Sequence, residues 1–363
     1  MEDETQLGQR PAGRRSFLKG SLLAGGALVT AGLLGTEKSA RAQSDNGNGN
    51  ADITDGDAAI LRFLAAAELI EADLWTQYAE LGGITSGAVN SYQTALQNLD
   101  GDGSQYITSN TLDEVSHAAF LNAYLESKGV EPVDLDAFRT LQGSKATGAQ
   151  NIGRLTNLMH LNVDTSWYIR YRSTTNPDLG ATYPQAITII DRPAIPRTNA
   201  DLNNATQIQV IANTAAFHFG TIEQGGSSLY ASLSRKVTSE QVLEITLGIG
   251  GDEITHFLEW VDFAGNGVQP PVAPVSFAGL TFPDFTKKGP LFQPNLIFPI
   301  PCEFLNAKLP KCAIIRPLTD RVGGARAAAA FLTNMNLFEG QSKQFFTALN
   351  RLADAADAAK RDS

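Results

Sequence analysis

Alanine and leucine positions recur with a helical period through DAAILRFLAAAELIEADLWTQYAEL, Asp57 to Leu81, and the run stops at Gly82 and Gly83. A short helix over about 88–98 follows, then a second long helix from about Ser109 to Lys128 with Gly129 behind it. DGDGS between them, Asp100 to Ser104, lacks the glycine and closing glutamate of a calcium loop and reads as a turn. A third long helix is predicted from Ala205 to Lys236. A fourth starts at TSEQ, where Thr238 and Gln241 fit a capping box, and ends near Gly265.

Between the second and third helices lie residues 130–204, with a helix-like stretch NIGRLTNLMHLNVDTSWYIRYR and a strand-like QAITIIDRPAI. Residues 266–318 are rich in proline and phenylalanine without a period, which predicts irregular structure wrapping the surface. Two closing helices follow. The second is amphipathic through Phe345, Phe346, Leu349 and Leu352. The whole predicts an all-α fold: a four-helix bundle over 57–265 built from two sequence-adjacent pairs, a long crossover joining them, and extra helices within 266–363.

Composition changes this picture little. A formal charge of −10 and a pI near 4.9 argue against nucleic acid, whose phosphates need a basic surface. The N-terminus says more. GRRSFLKG carries Arg14 and Arg15, a loosely apolar glycine-rich run follows, and ARA ends at Ala42. This resembles a twin-arginine export signal over 1–42, cleaved after Ala42, with a polar, glycine-rich linker over 43–56. The expectation is an exported protein of the periplasm or cell envelope. The apolar run is too short and weak for a membrane span, and none is expected in the mature chain. In such a compartment Cys302 and Cys312 are expected to pair as a disulfide, with two separate thiols as the alternative.

The chain has four histidines, and two carry a glutamate three residues earlier in near-identical words: DEVSH, Asp113 to His117, and DEITH, Asp252 to His256. Residues i and i+3 share a helix face, so each pair can aim a carboxylate and an imidazole at one point. Each sits in the second helix of its half. In the first helices, Glu68 precedes Trp75 by seven residues and Glu223 precedes Tyr230 by seven, two turns on one face. His160 and His218 lack a partner at ligand spacing and read as structural.

These residues resemble the ferritin-like superfamily of dinuclear carboxylate proteins. FLAAAELIEADLW looks like the first helix of the bacterial ferritin-like domain group related to plant desiccation-related proteins. The resemblance covers about Asp57–Gly129 and Ala205–Gly265. It implies a ferritin-like bundle with Glu68, Glu114, His117, Glu223, Glu253 and His256 as ligands to two iron or two manganese ions. Glu114 and Glu253 would bridge. Glu71, Trp75 and Tyr230 are candidates for roles beside the metals. Dioxygen or peroxide is the implied partner, through Fe(II) oxidation or peroxide disproportionation. The alternative is a non-enzymatic envelope or stress protein that keeps the bundle for stability or binding. A closed storage cage is disfavoured by the long insertions, and a smaller homo-oligomer stays open.

Glycines thin the two helices of the second half: Gly220, Gly225 and Gly226, then Gly248, Gly250 and Gly251. Each costs about 1 kcal/mol of helix stability relative to alanine. Either they permit close approach beside the metals, or the fourth helix breaks at Gly248–Gly251 and restarts at Asp252.

Overall fold

The computed structural model describes residues 53–170, 172–174, 183–294, 298–314 and 324–362. The expected export signal and most of the expected linker lie outside them. The described residues hold eight α-helices: α1 (Asp55–Gly82), α2 (Ser91–Gln97), α3 (Gly103–Ser127), α4 (Ser166–Arg170), α5 (Ala205–Ser234), α6 (Glu240–Asn266), α7 (Ala325–Asn334) and α8 (Lys343–Ala358). Three small antiparallel ribbons accompany them: β1 (Leu141–Gln142) with β2 (Gly153–Arg154), β3 (Leu161–Val163) with β4 (Ile189–Arg192), and β5 (Val275–Phe277) with β6 (Leu280–Phe282). Helices α1 and α3 pack as one pair and α5 and α6 as the other, while α8 lies along α1 with α7 beside it. This is the all-α bundle with extra helices. No helix among the described residues is long and apolar enough to cross a membrane.

Capping ties the bundle together at one end. Thr54 Oγ1 accepts the Asp57 amide (3.0 Å), and the Asp57 carboxylate takes the Thr54 amide in return (3.2 Å), so α1 starts inside the expected linker. The same buried carboxylate accepts the amides of Thr238 (2.8 Å) and Ser239 (3.1 Å). The capping box expected at Thr238 and Gln241 therefore does not form, because the Asp57 carboxylate takes the Thr238 amide that the Gln241 side chain would have accepted, and α6 starts one residue later, after Ser239. Gln241 instead accepts the Tyr124 hydroxyl from α3 at 3.1 Å.

The helix-like stretch over 151–172 is mostly not helical. Asp73, buried on α1, draws its amides away: Leu155 N and Thr156 N donate to Oδ2 at 3.1 and 3.0 Å, and the Thr156 hydroxyl does so at 2.7 Å. Arg139 closes on Oδ1 at 2.6 Å, and buried Arg154 grips Glu80. Further on, Asn157 N and Asn162 N bond the carbonyls of Leu337 and Met335. Among the described residues of that stretch, only Ser166–Arg170 stays helical. The strand-like segment 185–195 does supply β4.

Helix α6 runs unbroken through Gly248–Gly251, so the break is not made. Close approach explains some glycines. A Cβ on Gly220 would lie 2.7 Å from Trp167 Cη2, and one on Gly250 2.8 Å from Tyr230 Cβ. Added Cβ atoms on Gly248 and Gly251 would meet nothing within 4 Å. Cys302 and Cys312 exchange both backbone hydrogen bonds (2.9 and 3.0 Å) across an isolated antiparallel bridge. Such a pairing suits a disulfide. The expected bond is not formed in this structure, where the exposed Cys312 thiol donates to the Ala313 carbonyl at 3.7 Å.

Candidate metal centre

Six acidic and imidazole side chains converge in the bundle interior, all buried: Glu68 from α1, Glu114 and His117 from α3, Glu223 from α5, Glu253 and His256 from α6. They form two groups whose ligand-type atoms lie within 4.8 Å of one another: Glu68, Glu114, His117 and Glu253, and separately Glu114, Glu223 and His256. Glu114 joins both. Its Oε2 faces His117 Nδ1 (3.2 Å) and its Oε1 faces His256 Nδ1 (3.1 Å). Glu253, expected to bridge as well, joins the first group only. Its carboxylate lies against Gly226 of α5, where a side-chain carbon would sit 2.7 Å from its Cδ.

Both imidazoles turn Nδ1 inward and Nε2 outward, and each is held by the aspartate of the opposite helix. His117 Nε2 meets Asp252 Oδ2 at 3.3 Å, and His256 Nε2 meets Asp113 Oδ2 at 3.2 Å. The paired DE…H words thus interlock across α3 and α6, with the aspartates half-exposed and the glutamates inside. Asp252 and His117 also line a groove of about 710 Å³ between these helices, open to solvent.

Tyr230 donates its hydroxyl to Glu68 Oε1. Glu71 belongs to neither group, but it is buried, and burial followed by the charges of Glu114 and Glu68 raises its carboxyl well above the ordinary range. Trp75 makes no hydrogen bond to the cluster. It stacks on Trp260 (5.3 Å, 25°) and against Phe219, so its role is packing. His160 pairs with Asp191 at the surface. His218 accepts or donates at Nδ1 with the Tyr78 hydroxyl (2.8 Å), and burial pushes it down to about 3.

Sequence reasoning missed Asn110. One turn before Glu114, its Nδ2 donates to Glu114 Oε1 (2.7 Å) and Glu223 Oε1 (3.2 Å) and lies 3.3 Å from His256 Nδ1. Trp260 Nε1 donates to its Oδ1 at 2.6 Å, which fixes the amide's orientation. The only sequence signal was a polar residue four positions before Glu114.

The electrostatics are lopsided. Both Glu253 oxygens are buried without a hydrogen bond, and Glu68 Oε2 has only His117 Nδ1 at 3.5 Å. Burial, then the charge of Glu114, raises Glu68 to about 7 against the pull of His117 and Tyr230. Burial and the surrounding glutamates push Glu253 well above its ordinary range. Burial disfavours the His117 cation, yet hydrogen bonds to Glu114 and Glu68 raise it to about 10. His256 is raised still further by Glu223, Asp113 and Glu114, again against burial. Buried carboxylates in excess of their donors are costly unless cations neutralise them. The donor set of carboxylate oxygens and imidazole nitrogens fits divalent first-row metals.

A family model described as ferritin-like domain matches residues 56–260, from the first turn of α1 to Trp260 in α6. All six side chains fall inside that span. No curated protein and no solved structure matches the chain.

Proposed function

Since the chain belongs to the ferritin-like domain family, we propose that its buried cluster holds two iron or two manganese ions and handles dioxygen or peroxide, in an exported protein. The observation that carries this reading is Glu253: a wholly buried carboxylate with neither oxygen hydrogen-bonded, set beside three further buried glutamates. Glu68, Glu114, His117 and Glu253 would hold one ion, and Glu114, Glu223 and His256 the other. Bound there, the ions supply redox equivalents and open positions for an oxygen ligand.

The chain's own residues do the rest. Asp252 and Asp113 orient the imidazoles so that each Nδ1 stays turned inward. Tyr230 donates a hydrogen bond to Glu68 Oε1 and fixes that carboxylate. Glu71, its carboxyl pushed well above the ordinary range by burial and then by the charges of Glu114 and Glu68, is placed to carry a proton beside the cluster. The apolar layer of Trp75, Trp260 and Phe219 closes the interior to water, which leaves the α3–α6 groove as the approach. The test is anaerobic loading with Fe(II) or Mn(II), followed by oxygen uptake and peroxide disproportionation beside a Glu114→Ala variant. Turnover above that of the free ion, absent in the variant, is expected. Rates equal to the free ion in both proteins refute the reading.

A further inference from the structure

The two halves of the cluster are not equally ready. In the first, both oxygens of Glu253 have no hydrogen bond, and Glu68 Oε2 meets only His117 Nδ1 at 3.5 Å. In the second, one amide group reaches every member: Asn110 Nδ2 lies 2.7 Å from Glu114 Oε1, 3.2 Å from Glu223 Oε1 and 3.3 Å from His256 Nδ1. The amide cannot turn over without cost, because its Oδ1 is the acceptor for Trp260 Nε1. Trp260 is itself locked, stacked on Trp75 and packed edge-on against Phe263. Asn110 is fully enclosed, so no water can replace its bonds.

We infer that Asn110 is a gate on the second metal position, so that the two ions load in order. The first ion enters among Glu68, Glu114, His117 and Glu253, where both Glu253 oxygens are already without partners. The second, among Glu114, Glu223 and His256, must displace the Asn110 amide from two charge-assisted hydrogen bonds and from its clamp on Trp260. That loss weakens the second ion relative to the first by roughly tenfold or more. It also disturbs Trp260, which makes its indole a reporter of the second event alone. The inference rests on the reading of the cluster as a two-ion site.

The experiment is an anaerobic Mn(II) titration of the full chain by calorimetry. A parallel titration with diamagnetic Zn(II) is followed by tryptophan emission. Two binding events separated by roughly tenfold or more are expected, with emission changing in the second only. Asn110→Ala brings the two affinities together by strengthening the second. Trp260→Phe, which removes the clamp but leaves the amide, narrows the gap and abolishes the emission change. Equal affinities in the wild type overturn the gate, as does loss of the second ion in Asn110→Ala, which would make Asn110 a support instead. Binding of no ion by any variant sinks the two-ion reading itself.

Discussion

Replacing Gly226 by alanine adds one methyl group to α5 where the Glu253 carboxylate of α6 lies against the backbone. The new carbon would stand 2.7 Å from Glu253 Cδ and closer still to Oε2. Carbon–carbon contacts optimise at about 3.5–4.0 Å, so the carboxylate must swing away or the helices must part. Alanine gains about 1 kcal/mol over glycine in a helix interior. Overpacking a buried site costs about 1–3 kcal/mol, so the net effect on the metal-free fold is a loss of roughly 0–2 kcal/mol. Displacing a ligand carboxylate weakens metal binding by at least the roughly 10–100-fold known for disturbed supporting residues.

Gly248→Ala is the internal control. An added carbon there meets nothing, so the helix gain of about 1 kcal/mol survives and metal binding does not change. That gain raises the melting temperature by on the order of 2 °C in a domain of this size. Thermal melts with and without Mn(II), together with calorimetric affinities, check both variants. A Gly226→Ala protein that melts higher and binds metal as the wild type does would refute the steric reasoning.

Glu68 titrates near pH 7 in the fold against an ordinary 4.5, and His117 near 10 against 6.5, so the metal-free protein holds more protons than its unfolded chain. Its stability falls as pH rises through these windows. Because metal replaces those protons, the melting gain from Mn(II) should grow between about pH 5 and about pH 8; a flat or shrinking gain contradicts this. Converting Asp113 and Asp252 together to asparagine removes both carboxylate–imidazole pairs and should weaken Mn(II) binding roughly tenfold with little change in melting, whereas unchanged affinity removes their orienting role. Asp73→Ala strips five acceptor contacts: four hold the crossover to α1, from Leu155 N, Thr156 N and Oγ1, and Arg139, and one comes from Gln77 within α1. A loss of about 3–5 kcal/mol in chemical denaturation is expected, and a loss below about 1 kcal/mol would show that the crossover docks without it.

The bundle and its six converging side chains were legible because both are local arithmetic. Helix periodicity marked α1, α3, α5 and α6, and i,i+3 spacing put Glu114 with His117 and Glu253 with His256. What was missed is set by partners distant in sequence. Residues 151–172 look helical by composition, but Asp73, far back on α1, captures their amides. Thr238 and Gln241 spell a capping box that Asp57 overrides from the first turn of α1, remote in sequence but at the same end of the bundle. Asn110 has no local signature, since only Trp260 and Glu223 show what its amide does. The glycines carried a real signal with two meanings: Gly220, Gly226 and Gly250 admit Trp167, Glu253 and Tyr230, while Gly248 and Gly251 border the groove and are required by no contact.

The most direct test is the metal content of the purified protein, beside a Glu114→Ala/Glu253→Ala double variant. About two iron or manganese ions per chain, lost in the variant, are expected. A wild type that binds no metal, even after anaerobic addition of Fe(II) or Mn(II), would contradict the two-ion reading and leave the bundle as a structural or binding module.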